Sequence, residues 1–495
     1  MAITDDKTTI EIPDSPVGKR IQWVLDALQS DTDVTVDAIK EAFAESFLAA
    51  APAEAIAGMF NNDAGAMATA GPVNISAPTD YAAVVDMADA AGANRFRLRL
   101  MVEQDEPNRI AMLGVEPIYA AAEGAVARNW DEVAGVEPVR EERQGPGEVD
   151  RELSDELEEL IAEAREEVQF VGLAASIGGP DGLVWFRGFG TARSEGGEVR
   201  PDTVFRIGSV SKTMTAIGVM QLVENGNVGL DDPINDHLRS YKIEAADGSP
   251  AITIRHLLTH TSGLGARGGV DIGLPYGQPV PALSEFYAEG LKGTTPAGES
   301  WAYSNDAFAT LGHLIEELNG KPFYESMEQT LFKPLGMTSS SFVRGRVQEE
   351  RLVTPFNPDE KGFIECADLD VIVRGAGSVY STAEDMTRYT SCLINGGAPV
   401  LKKESLEEMW AKQGDLPQEG MKGHMGLSFI VHDVEGNRVP WHNGGWPGAA
   451  TSMYVAADAG RSVVLTANTF GAQHSPALDQ VGMRVIRRLL GLAAS

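Results

Sequence analysis

The stretch Phe205-Arg206-Ile207-Gly208-Ser209-Val210-Ser211-Lys212 runs into an apolar sequence carrying Met214, Ile217, Met220 and Val223 that stops at Asn225-Gly226. This spacing predicts a largely buried helix closed by an Asn-Gly C-cap. Ser209 stands at its N-terminus, and Lys212 follows three residues on, on the same face. A serine hydroxyl becomes nucleophilic when a base takes its proton, and a lysine serves once burial lowers its pKa. A helix N-terminus also favours the negative charge that develops on reaction. No other S-x-x-K occurs in the chain. Alone the tetrapeptide decides little, because serine is a common N-cap and lysine a common surface residue.

Two further elements lie downstream. Trp301-Ala302-Tyr303-Ser304-Asn305 precedes a helical pattern of Phe308, Leu311, Ile315 and Leu318 that ends at Asn319-Gly320. Tyr303 and Asn305 thus sit on the turn entering a helix, where a phenol and an amide one residue apart can point into one cleft. An ordinary aromatic before an Asn cap would read the same way. Trp441-His442-Asn443-Gly444-Gly445-Trp446 is followed by two strand patterns, Ala450 to Val455 and Arg461 to Ala467, joined at Asp458-Ala459-Gly460. Its glycines let a strand backbone approach a substrate closely. A competing H-x-G, His424-Met425-Gly426, leads into only one apolar strand, Leu427 to Val431, so the His442 element is favoured.

In this order the three elements resemble the signatures of the serine β-lactamase-like, penicillin-binding-protein superfamily: class C β-lactamases, DD-peptidases and family VIII carboxylesterases. The resemblance runs from about Val168 to Leu490. It includes Ile252 to Leu264 (ITIRHLLTHTSGL), Pro334-Leu335-Gly336-Met337, and Gly375 to Thr382 ahead of a helix. It implies an α/β (α+β) β-lactamase/transpeptidase-like fold, an antiparallel sheet flanked by helices beside a helical lobe, with the site between them. It further implies an acyl-enzyme on Ser209, with Lys212 as base or proton relay. Tyr303 would carry protons to the leaving group and activate the deacylating water, and Asn305 would orient substrate and Lys212. The N–H groups of Ser209 and Gly445 would form an oxyanion hole, each donor worth about 3–4 kcal/mol. His442, Gly444 and Gly445 would line the substrate.

One departure directs the choice of substrate. β-Lactamases and DD-peptidases of this group usually carry K-T-G at the third element, and its lysine helps bind a substrate carboxylate. Here the element reads His442-Asn443-Gly444, and a largely neutral histidine offers a hydrogen bond but little charge at neutral pH. The H-x-G form resembles the esterase branch. The expected function is therefore a carboxylesterase acting on short-chain or small neutral acyl esters. A β-lactamase or D-amino-acid peptidase/amidase is the alternative, and an acyltransferase a further one. His256 and His260 have the spacing of a helical metal pair but lack the glutamate of a zinc-protease helix, so neither a metal nor a cofactor is expected. A G-x-S-x-G elbow is absent. The Gly/Pro-rich stretch from Gly263 to Gly298 reads as a lid, while Trp301, Tyr276 and Trp446 read equally as an acyl pocket or as core aromatics.

The chain of 495 residues exceeds the size at which one core usually stops growing, so two domains are expected. Its net charge of −32 repels nucleic acid and anionic membranes, and no apolar run is long enough to span a bilayer. The start, MAITDDKTTIEIPDSP, lacks the basic and apolar parts of a secretory signal, so a cytoplasmic location is expected. Cys366 and Cys392 make no disulfide framework and read as buried small hydrophobes. The partner is then a small-molecule ester, with homo-oligomerisation left open.

Residues 1–137 read as a small α+β accessory domain. Ile21, Val24, Leu25 and Leu28 recur at helical spacing, as do Ile39, Phe43 and Phe47 after a Thr35 N-cap. Phe96, Leu98, Leu100 and Val102 then alternate with Arg95, Arg97, Arg99 and Met101 as a half-buried strand, and Asp105 to Asn108 turns into a second through Ile110 and Leu113. This order resembles the cystatin-like or NTF2-like (ketosteroid-isomerase-like) module that precedes β-lactamase-like domains in some proteins. It carries no catalytic constellation. Residues 138–167 read as a charged linker, broken at Gly145-Pro146-Gly147, and an amphipathic helix through Leu153, Leu157, Leu160 and Ile161 whose charges form a solvated face. Residues 168–495 form the hydrolase domain, opening with two strands joined at Gly178 to Gly182.

Overall fold

The computed structural model describes residues 10–494 apart from 31, 51, 63–66, 68, 89–94, 119–120, 123–124, 126, 147, 266–271, 360–361, 417–422 and 472. The first nine residues, Gly147 and part of the expected lid therefore lie outside the described residues. The chain divides into two compact units, the smaller reaching Ala120 and the larger built from Ala121–Ala266 and Ile272–Ser495.

In the smaller unit four helices (Pro16–Leu28, Val36–Ala42, Glu45–Ala50 and Ala53–Asn62) precede four strands (Gly71–Thr79, Ala82–Ala88, Arg95–Val102 and Ile110–Pro117) paired in sequence order as an antiparallel meander. Ser15 and Thr35 cap the first two helices by accepting from the amides of Gly18 and Ala38. The helix expected through Phe47 breaks at Phe43, whose backbone turns extended and bridges to Ile110. Ile21, Leu25, Phe43, Leu98 and Leu100 close a core of its own.

The larger unit is built on a nine-stranded, wholly antiparallel sheet. Its order is Gly423–Met425, Ile430–Val434, Asn437–Trp446, Ala449–Ala456, Arg461–Ala467, Gly172–Gly179, Gly182–Arg193 and Val139–Glu142, with Gly196–Glu198 also paired to Gly182–Arg193. The period-two rule is visible in Ala449–Ala456. Ala450, Tyr454 and Ala456 pack towards the helices Arg151–Val168 and His474–Leu489, while Met453 and Val455 face the opposite core. That second core joins Ala383–Ile394 to the helical lobe of Ser211–Glu224 and Asn305–Asn319.

Three further expectations are corrected. The division at 137 moves to 120/121, because Arg128 bridges to Phe363 and Val139–Glu142 is a strand of the large sheet. The expected amphipathic helix is present as Arg151–Val168, but the stretch before it is not merely a linker, and the charges are not only a solvated face. Glu142 and Glu158 each hold Arg187 at 2.6 Å, and the Arg187 side chain is buried. The strand expected at Leu427 to Val431 starts later, at Ile430, because Ser428 takes a left-handed φ of 69°. Cys366 and Cys392 are buried and unpaired, and no helix among the described residues is long and apolar enough to cross a membrane.

Candidate active site

Ser209 sits in the single 3₁₀ turn Gly208–Val210 that leads into the Ser211–Glu224 helix. That helix is buried along nearly its whole length, which explains why its apolar residues are not confined to one face. Lys212, one turn on, is fully buried, whereas Ser209 is half-buried. The Lys212 Nζ lies 3.1 Å from Ser209 Oγ, 2.8 Å from Asn305 Oδ1 and 2.6 Å from the Ala376 carbonyl oxygen. Burial pushes its ammonium well below the ordinary lysine range.

Tyr303 and Asn305 arrive together because Ser304 between them caps the Asn305–Asn319 helix, accepting from the Ala307 amide. The Tyr303 hydroxyl donates to Ser209 Oγ at 2.6 Å, and Lys212 Nζ lies 4.7 Å from the centre of its ring. Burial pushes the phenol above its usual range, so Tyr303 rests as the neutral phenol.

The third element lies along the opposite wall, on strand Asn437–Trp446. A Cβ at Gly444 would stand 2.1 Å from the Ile207 carbonyl oxygen and 3.0 Å from the Ser209 nitrogen, and one at Gly208 would stand 2.8 Å from the Gly445 nitrogen. Glycine at 444 and 208 is what lets this strand meet the nucleophile's turn. Gly208 also takes a φ of 52°, which a side chain would disfavour. His442 is buried, and its Nδ1 lies 2.5 Å from the Asn443 carbonyl oxygen. Desolvation, with a smaller contribution from Lys212, pushes it down to about 4, so the ring is neutral at neutral pH.

All seven expected residues thus fall in one place. His424 lies elsewhere, its Nε2 against the Trp410 carbonyl. His256 is used locally, its Nδ1 accepting from the Thr253 amide in a capping box. Trp446 is buried beneath the Arg206 guanidinium, Trp301 packs on His260 and Tyr303, and Tyr276 is 44% exposed, stacked on Arg344. Sequence reasoning missed two participants. The Ala376 carbonyl was signalled only by the glycines around it. The His260 ring stacks on Tyr303 with centroids 4.5 Å apart. On the other face of the strand, away from Ser209, Asp479 accepts from Asn443 Nδ2 at 2.6 Å, and burial pushes its carboxyl up to about 6. No motif marks Asp479.

A family model described as Beta-lactamase matches residues 157–485, and one described as ORF 12 gene product N-terminal matches residues 12–107. Esterase EstB of Burkholderia gladioli is 29% identical over 358 residues, covering 64% of this chain and 91% of that protein. Penicillin-binding protein 4* of Bacillus subtilis is 26% identical over 336 residues, covering 63% and 71%. Among solved structures, the octameric penicillin-binding protein homologue from Pyrococcus abyssi superposes with a TM-score of 0.62 at 25% identity, over 69% of this chain and 78% of that one. The D-amino acid amidase from Ochrobactrum anthropi SV3 shares the fold, with a TM-score of 0.57 at 22% identity over 69% and 98%.

Proposed function

Because the chain belongs to the β-lactamase family and is a serine hydrolase, we propose that it is a carboxylesterase of small neutral acyl esters, working through an acyl-enzyme on Ser209. The observation that carries this reading is the neutral, buried His442 at the position where a cation would take a substrate carboxylate. The relationship to an esterase over most of that protein's length supports it.

The hydrogen bonds around Ser209 form a directed chain once Lys212 is a neutral amine. Its two hydrogens go to Asn305 Oδ1 and the Ala376 carbonyl, leaving the lone pair for the Ser209 proton. Ser209 Oγ in turn accepts from Tyr303. In acylation the Ser209 Oγ–carbonyl bond forms, the Ser209 proton passes to Lys212, and the ester C–O bond breaks with Tyr303 protonating the departing alcohol. In deacylation water adds to the acyl carbon and gives a proton to the Tyr303 phenolate, the acyl carbon–Ser209 Oγ bond breaks, Oγ takes its proton back from Lys212, and the acid leaves with both groups restored. The amides of Ser209 and Gly445 hold the oxyanion throughout.

Two outcomes test this. Initial rates on p-nitrophenyl butyrate are expected to exceed those on a chromogenic cephalosporin by about a hundredfold or more, since a carboxylate left without a partner costs at least about 3 kcal/mol. Dominant cephalosporin turnover would move the protein to the β-lactamase alternative. Gly444→Ala, whose methyl would collide with the Ile207 carbonyl, is expected to lower kcat on the ester by about a hundredfold through a displaced oxyanion donor. Unchanged kcat in a folded variant would remove the hole from this strand.

A further inference from the structure

The geometry points to His260 as the residue that positions the Tyr303 phenol against Ser209, an inference resting on the roles just proposed for those two groups. His260 stands in the turn after the Ile254–Leu258 helix with a left-handed φ of 58°. From there it grips the turn on both sides of Tyr303. Its carbonyl accepts from the Ala302 amide at 2.7 Å, and its Nδ1 accepts from the Ser304 amide at 3.0 Å. Between these bonds the imidazole lies over the phenol ring, centroids 4.5 Å apart and planes 30° apart, with Phe308 and Trp301 closing around it.

Several features separate this arrangement from ordinary packing. Accepting at Nδ1 fixes the tautomer with its proton on Nε2, and Nε2 is buried without a partner among the described residues. A buried donor left unpaired is costly, so a plain core position would favour a hydrocarbon there. What histidine adds is one acceptor and one flat ring on the same side chain. Burial in a dry surrounding keeps the ring uncharged, so it does not compete with Lys212 for a proton. The left-handed backbone is a conformation histidine tolerates better than branched residues, and it persists where surrounding bonds over-determine it. The phenol that these contacts hold is the one 2.6 Å from Ser209 Oγ, and a displacement of about 1 Å at such a contact can cost on the order of a hundredfold in rate.

A double-mutant cycle on p-nitrophenyl butyrate tests the inference. His260→Asn keeps a side-chain acceptor and suits the left-handed backbone but removes the ring, while His260→Phe keeps a ring and removes the acceptor. Either variant in the Tyr303 enzyme is expected to lose about tenfold to a hundredfold in kcat with KM within about twofold. In a Tyr303→Phe background the same change is expected to matter by less than about twofold, because the group it positions is gone. If one variant fails to fold, the other supplies the same comparison. Equal losses in both backgrounds, or a kcat within about twofold of the parent in the Tyr303 enzyme, would overturn the positioning role. Full activity of Tyr303→Phe alone would instead overturn the role of Tyr303 from which the inference starts.

Discussion

Ser209→Ala is expected to reduce ester turnover by about 10⁴-fold or more while leaving the protein folded. Only one atom is removed, from a half-buried position. The loss to the fold is the acceptor for the Tyr303 hydroxyl, a cost of about 1–3 kcal/mol. The loss to the chemistry is complete, because no acyl-enzyme can form. Residual rate above the uncatalysed reaction would come from the oxyanion donors and substrate binding alone. The check is kcat together with labelling by a fluorophosphonate, which should mark the parent stoichiometrically and the variant not at all. Turnover surviving the substitution would sink the mechanism.

Lys212→Met is expected to be nearly as damaging, lowering kcat by on the order of 10³–10⁴. Methionine fills most of the lysine stem's volume, so the comparison isolates the amine. Asn305 Oδ1 and the Ala376 carbonyl lose a buried donor, partly offset because the amine no longer has to be desolvated. The pH profile is the sharper readout. Burial disfavours the ammonium form, so the active neutral amine persists to a pH well below the ordinary value of 10.5. The rate should be flat above that depressed pKa and fall about tenfold per pH unit below it. His442, pushed down to about 4, cannot supply a limb near neutrality. If the acid limb remains unchanged in Lys212→Met, another group is the base.

How far the sequence could be read depended on whether its signals were local. Ser209 and Lys212, or Tyr303 and Asn305, must keep fixed spacing on one turn for the chemistry to work, so their geometry is written into short motifs. Period and caps located Arg95–Val102, Arg461–Ala467 and the Asn305–Asn319 helix for the same reason. Gly71–Thr79 and Ala82–Ala88 left no such trace. The first is an exposed edge strand broken by prolines, and the second has no clean alternation. The acidic stretch before Val168 misled because its partner Arg187 is 29 residues beyond Glu158 and 45 beyond Glu142. His260 was set against a metal, but its actual neighbours come from a turn some forty residues later, which periodicity cannot reveal.

The strand Val139–Glu142 carries a consequence for where the enzyme begins. It covers the outer rim of Gly182–Arg193 and, with Glu158, neutralises Arg187, yet it lies upstream of the matched family segment at 157. Trimming the gene to that segment would bare a row of unpaired peptide groups beside a half-abandoned guanidinium, the kind of rim on which neighbouring molecules zip together. The catalytic body therefore has one rim of its sheet covered by residues upstream of the segment that the family model matches.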